Sequence, residues 1–271
     1  MSEQATPDHL KTKSRRVKRK KVQASDGWTI VTHVDHKGGA AGKGDESALH
    51  NSRPTRTVDG LNVTRLMDDF KRFTARWKEM SCAKRLDEML GKRKWHMNSA
   101  ACIGIGSFSL DWEHRHRSIW QLVLFLDIVD IVSTNGPALQ LYAQEPIFTP
   151  LDVAFLSALN ISVLASDIEA RIANSSFVFA PFVEWDLLLS VFLKDKNPEL
   201  YIGNDILDDY TPYANTEAKV KVLEECNGLG KRFLQNRRGV RVPEFGEHAH
   251  ALNGLLVYLK NTQEEEEGRR D

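Results

Sequence analysis

Gly104, Gly106 and Ser107 close an apolar run, and Glu145 closes the next one; these are the residue types that a nucleotide-type ligand needs. Glycines let a ligand come close to the backbone, a serine hydroxyl can donate to it, and an acid after the neighbouring strand can hold ribose hydroxyls. Asn204 follows a later apolar run and joins the same candidate pocket, with Asp205 and Pro181 near it. S-adenosylmethionine or a dinucleotide is the ligand class such a pocket would take. The pattern departs from a full GxGxxG fingerprint, because the third position holds Ser109, and Glu145 lies 39 residues beyond Gly106 where about 20 is usual. The other reading of the two glycines is close helix–strand packing. No motif specifies a cofactor.

The remaining polar groups assemble no catalytic set. His114, Arg115, His116 and Arg117 fall where the first crossover helix should begin. Cations there oppose the helix dipole, so they are read either as a solvated loop or as a site for an anionic partner. His248 and His250 lack a third ligand or an HExxH frame, so no metal site is expected. Ser107 and Ser109 are outside a GxSxG elbow.

The elements that would position these residues can be read from hydrophobic spacing. Leu66, Phe70, Phe73, Trp77, Met80 and Leu90 recur at helical intervals and predict one long amphipathic helix ending near Gly91, packed on the protein's own sheet. Residues 100–105 form a continuous apolar run, as in a strand buried on both faces. Further strands are expected at 139–143, 161–164, 177–180 and 200–203, with an edge strand at 255–259. Helices are expected at 119–132, from Pro150 onward and at 184–193. The alternation predicts an α/β, Rossmann-like, mostly parallel sheet with helices on both faces. Its expected span is residues 59–262, between a disordered basic arm and Gly/Ser-rich linker at 1–58 and an acidic disordered tail at 263–271.

A chain of 271 residues with 41% hydrophobic content can bury one sizeable core, and its formal net charge is zero. The charge is unevenly placed. Lys18, Arg19, Lys20 and Lys21 form a compact run that reads as a nuclear-import signal, a nucleic-acid patch or a merely solubilising tail, whereas Glu264 to Glu267 are all acidic. Contact of the arm with nucleic acid would be weak and non-specific, since no aromatics interleave the cations. Trp28, Thr29, Ile30 and Val31 form a β-prone island in the arm. Three cysteines without paired spacing fit reduced thiols, and no apolar run is long enough for a membrane span. A soluble protein of cytoplasm or nucleus is expected, with no membrane contact.

Several of these segments together resemble the sensitivity-to-red-light-reduced family, including its fungal-type relatives. They are CIGIGSFS (102–109), QLVLFL (121–126), EPIFTPLDVAFLSAL (145–159), YIGND (201–205) and GWTIV (27–31) after a basic run. The resemblance implies a Rossmann-like domain and a regulatory or scaffold role with protein partners. In relatives it is linked to circadian and light signalling, or to cytoskeletal and haem-related processes. It implies no established reaction. Two departures matter: Glu145 stands where the family usually has Asp, and Pro181-Phe182-Val183 stands where it tends to read Pro-His-Cys. That second change removes the pair best suited to catalysis or metal binding.

Overall fold

A computed structural model describes the backbone of residues 19–23 and 29–33, and the chain over 56–110, 115–134, 136–248 and 250–261. Two compact units result, Met1–Arg53 and Pro54–Asp271. The first contains β1 (Arg19–Gln23) and β2 (Thr29–His33), paired antiparallel with Lys21 opposite Val31. Thus ten residues of the segment expected to be a disordered arm form a strand pair. Lys18 and Trp28 lie outside the described residues, as does the acidic run at 264–267.

The second unit is built on seven strands: β3 (Ser99–Ile103), β4 (Gln140–Gln144), β5 (Ile161–Val163), β6 (Ser176–Ala180), β7 (Leu200–Gly203), β8 (Arg237–Arg241) and β9 (Leu256–Lys260). Their order is β5-β4-β3-β6-β7-β9-β8. Strands β3 to β7 are parallel; β9 runs antiparallel between β7 and β8. The expected edge strand is therefore interior. The edge itself is β8, where Arg238 and Arg241 are exposed and discourage further pairing while Arg237 is buried.

Every residue of β3, β6 and β7 is buried, which explains their apolar runs; the serines that open β3 and β6, Ser99 and Ser176, bond each other at 2.8 Å. Side chains alternate between two layers. Ala100, Cys102, Phe177, Phe179, Leu200 and Ile202 join the core shared with α1 (Val63–Glu79), α2 (Ser81–Leu90), α3 (Arg115–Ser133) and α4 (Pro150–Ala158). On the other face, Tyr201 and Tyr258 meet Phe233 of α6 (Glu217–Leu234) edge to face, with ring centroids 5.6 Å apart in both pairs. Helices thus cover both faces.

The single long helix expected before the sheet is two helices. Met80 leaves helical geometry with ψ 148°, and its N–H turns back to the Trp77 carbonyl before α2 begins. The apolar stripe continues across the break because both helices pack on one core: Phe73 lies 4.5 Å from Trp120 of α3, and Trp77 is fully buried. The segment expected to be helical at 184–193 is a short α5 (Trp185–Leu187) followed by a π turn at Leu188–Phe192.

Helix α6 holds Gly230, where a Cβ would stand 2.1 Å from the Leu207 carbonyl oxygen. Alanine in a helix interior normally gains about 1 kcal/mol over glycine, but a clash with backbone costs about 1–3 kcal/mol. Gly230→Ala is therefore expected to lower the denaturant midpoint, with a net loss of about 1 kcal/mol; a raised midpoint would contradict the packing described.

Candidate functional site

The strand order reverses at β3, whose neighbours are β4 and β6, and this reversal is where open α/β sheets place ligands. The carboxyl ends of β3, β4, β6 and β7 bring together the glycine loop, Glu145, Phe182 and Asn204. Gly104 and Gly106 take φ of 75° and 78°, a left-handed conformation that other residues resist. Between them the backbone turns out of the strand.

Glu145 closes on that turn. One carboxylate oxygen accepts the Gly106 N–H at 2.9 Å, and the other accepts the Ile147 N–H at 3.3 Å. The 39-residue spacing that departs from the usual fingerprint does not separate them. Parallel register sets Ile103 opposite Gln144, so Gly104 and Glu145 leave their strands side by side, and the extra length is taken up by the 19-residue α3. Burial pushes the Glu145 carboxyl up to about 7, against the two N–H bonds and the Arg117 guanidinium; Asp152 adds to the rise.

Ser107 ties its own loop to the start of α4. It is fully buried, and its hydroxyl donates to Asp152 at 2.6 Å while accepting the Ser109 and Leu110 N–H groups, both at 3.1 Å. These bonds shape the loop. Asp152, absent from the sequence-based candidates, is the centre of this arrangement. It also accepts the Phe108 N–H at 3.1 Å and the Thr149 N–H at 2.8 Å. Thr149 in turn caps the Asp152 N–H and bonds the Ser109 hydroxyl at 2.7 Å. The Thr-Pro-Leu-Asp capping box of α4 thereby locks the glycine loop, and that box is legible as a sequence signature.

Asn204 is likewise a clamp. Its Oδ1 accepts the Phe182 N–H at 3.1 Å, and its Nδ2 donates to the Val183 carbonyl at 2.7 Å. Phe182 is held at φ 59° with 41% of the residue exposed, an unusual state for a bulky residue. Asp205 points elsewhere, accepting the Tyr258 hydroxyl at 2.6 Å.

Of the basic run, His114 lies outside the described residues, and Arg115 opens α3 with its guanidinium 3.7 Å from Asp69 of α1. Arg117 is the member that interacts with Glu145; burial lowers its pKa and Glu145 opposes that. The rings of His248 and His250 are 6.5 Å apart, and among the described residues no cluster of His, Cys, Asp or Glu could hold a metal ion. All three cysteines are buried with thiols pushed up by burial, Cys226 to about 11.

Residues 79–259, more than half of the chain, match the family model of the SRR1 domain. The chain belongs to the SRR1 family. Its glycine loop, Glu145 turn and Asn204 clamp all lie inside the matched region. No curated protein matches the sequence. Among solved structures, this SRR1 protein is similar to cofactor-bound Rv0187 from MTB, at 10% identity, TM-score 0.35, over 76% of this chain and 94% of that one. It is also similar to the plantazolicin methyltransferase BpumL, solved in complex with a monoazolic desmethylPZN analog and SAH, at 12% identity, TM-score 0.33, over 73% and 90% of the two chains. Among the described residues no helix is long and apolar enough to cross a membrane.

Proposed function

We propose that this SRR1 protein is a regulatory module whose α/β domain binds a ribose-bearing small molecule, of the S-adenosylmethionine or dinucleotide type. The observation that carries the reading is the Glu145 carboxylate bonded to the Gly106 N–H at the sheet's switch point. Each carboxylate oxygen keeps acceptor capacity beyond its one backbone bond, which suits a vicinal diol. The glycine loop beside it is held by Asp152 and Thr149, and the turn at Phe182 by Asn204, so binding would require little ordering. A regulatory role, with protein partners, is favoured over catalysis because the thiols are held protonated and Phe182 stands in place of a histidine.

The test is a thermal-shift panel on the full chain with S-adenosylmethionine, S-adenosylhomocysteine, ATP, NAD and haem. A ligand at 100 times its dissociation constant stabilises the fold by about 2.7 kcal/mol. Gly106→Val should fold, since its strain is on the order of 1–3 kcal/mol, yet lose the shift. A panel without any shift would sink the proposal, and a shift retained in Gly106→Val would place the site elsewhere.

The same reading assigns the basic arm to nuclear import, with residence in both cytoplasm and nucleus. A fluorescent fusion with Lys18, Arg19, Lys20 and Lys21 changed to alanine is expected to leave the nucleus; unchanged distribution would remove this role.

A further inference from the structure

The amino-terminal edge of the sheet, opposite the glycine loop, holds a second concave feature. A cavity of about 400 Å³ lies where the end of α6 meets residues 195–197 and the paired ends of β8 and β9. Lys196, Arg232, Arg237 and Lys260 line it, with Asp195 as the carboxylate among the lining residues. Asn197, Asn236 and Asn261 add amide groups.

Arg237 is the unusual member. It is only 7% exposed, and its guanidinium lies over the Phe233 ring, 4.3 Å from the centroid. Its Nη2 donates to Asn197 Oδ1 at 2.6 Å and to the Pro198 carbonyl. Its Nη1 is buried with no hydrogen-bond partner. Burial pushes the group down to about 10, with Glu199 opposing and Arg93 adding to the fall. A buried cation with an unmet donor gains from an anion more than an exposed one does.

Two neighbouring features have local explanations. Lys260 is held by Glu199 at 3.1 Å and by the Asn174 carbonyl at 3.3 Å. Arg232 sits in the last turn of α6, where a cation suits the helix dipole. Neither accounts for Arg237, which lies on β8 beyond the helix. The dipole would weaken an anion's binding, but charge-assisted bonds from a guanidinium are the stronger effect.

We propose that this cavity binds the dianionic phosphate of a small phosphomonoester, with Arg237, Arg232 and Lys196 as its cationic contacts. A volume of about 400 Å³ falls in the range of small-molecule sites and leaves room for a modest polar body beside the phosphate. The site is distinct from the glycine loop, so one ligand can bind without the other.

Titration of the full chain with methyl phosphate and with inorganic phosphate, followed by calorimetry at fixed ionic strength, tests it. Methyl phosphate carries no diol, so it does not probe the Glu145 site. Saturable one-to-one binding is expected, weakened at least about tenfold in Lys196→Gln/Arg232→Gln and unchanged in Gly106→Val. The double variant alters exposed or part-buried side chains and so reports even where Arg237→Lys fails to fold. No saturable binding up to roughly 10 mM would overturn the proposal. So would unaltered affinity in the double variant, which would place the phosphate on the basic arm, or loss of affinity in Gly106→Val.

Discussion

Asp152→Ala is expected to lower the melting temperature by about 10 °C, taking about 4 kcal/mol of lost stability at 2–4 °C per kcal/mol for a domain of this size. The carboxylate is fully buried and accepts from the Ser107 hydroxyl and from the Phe108 and Thr149 N–H groups. Alanine leaves all three donors unmet in a site closed to bulk water. Hydrogen bonds to charged groups contribute about 1.5–3 kcal/mol each, and these are not additive because they share one acceptor. Asp152→Asn keeps an acceptor oxygen but points an amide at the donors, so it should lie between wild type and alanine. A fall of less than about 2 °C for the alanine variant would show that the loop does not depend on this network.

Glu145→Gln should flatten the pH dependence of stability. The folded carboxyl titrates at about 7 against an ordinary value of 4.5. Between those values the folded state binds more proton than the unfolded state, so Glu145 makes stability fall as pH rises through that window. Each pH unit is about 1.4 kcal/mol, and because the side chain is only part-buried we expect on the order of 2 kcal/mol in total. Glutamine removes the ionisation while keeping an oxygen for the Gly106 N–H. Urea denaturation at several pH values should show the variant gaining on wild type from about pH 4.5 to 7 and surpassing it at pH 8. Parallel profiles would mean that the carboxyl is not raised in the folded protein.

Much of the scaffold was legible because strands buried on both faces are mostly apolar: the run at 200–203 became β7 with the same bounds. Order was not legible. Val257 and Tyr258 are buried on both sides of β9, and an apolar run says that a strand is covered, not which neighbours cover it. β8, reading RRGVR, escaped notice because a short edge strand carrying three arginines reads as a basic loop. Helix α6 was hidden by Gly228 and Gly230, which suppress helical patterning; Gly230 is required by the close approach of Leu207.

The site was half legible. Residue type and position after strands single out Gly104, Gly106, Glu145 and Asn204 as candidates, but not the partner of each. Glu145 meets Gly106 because of strand register, a property that sequence separation conceals. Asp152 looked like an ordinary first-turn acid. Only the fold reveals that its other oxygen reaches a loop 44 residues away.

The most direct test of the central claim is calorimetric titration of wild type and Glu145→Gln with the best ligand of the panel and with its 2′,3′-dideoxy counterpart. If the Glu145 carboxylate holds a ribose diol, wild type should bind the ribose form at least about tenfold more tightly than the dideoxy form, the equivalent of about 1.4 kcal/mol. In Glu145→Gln that preference should shrink towards unity. Equal affinities for the two forms in wild type, or a preference untouched by Glu145→Gln, would contradict the account.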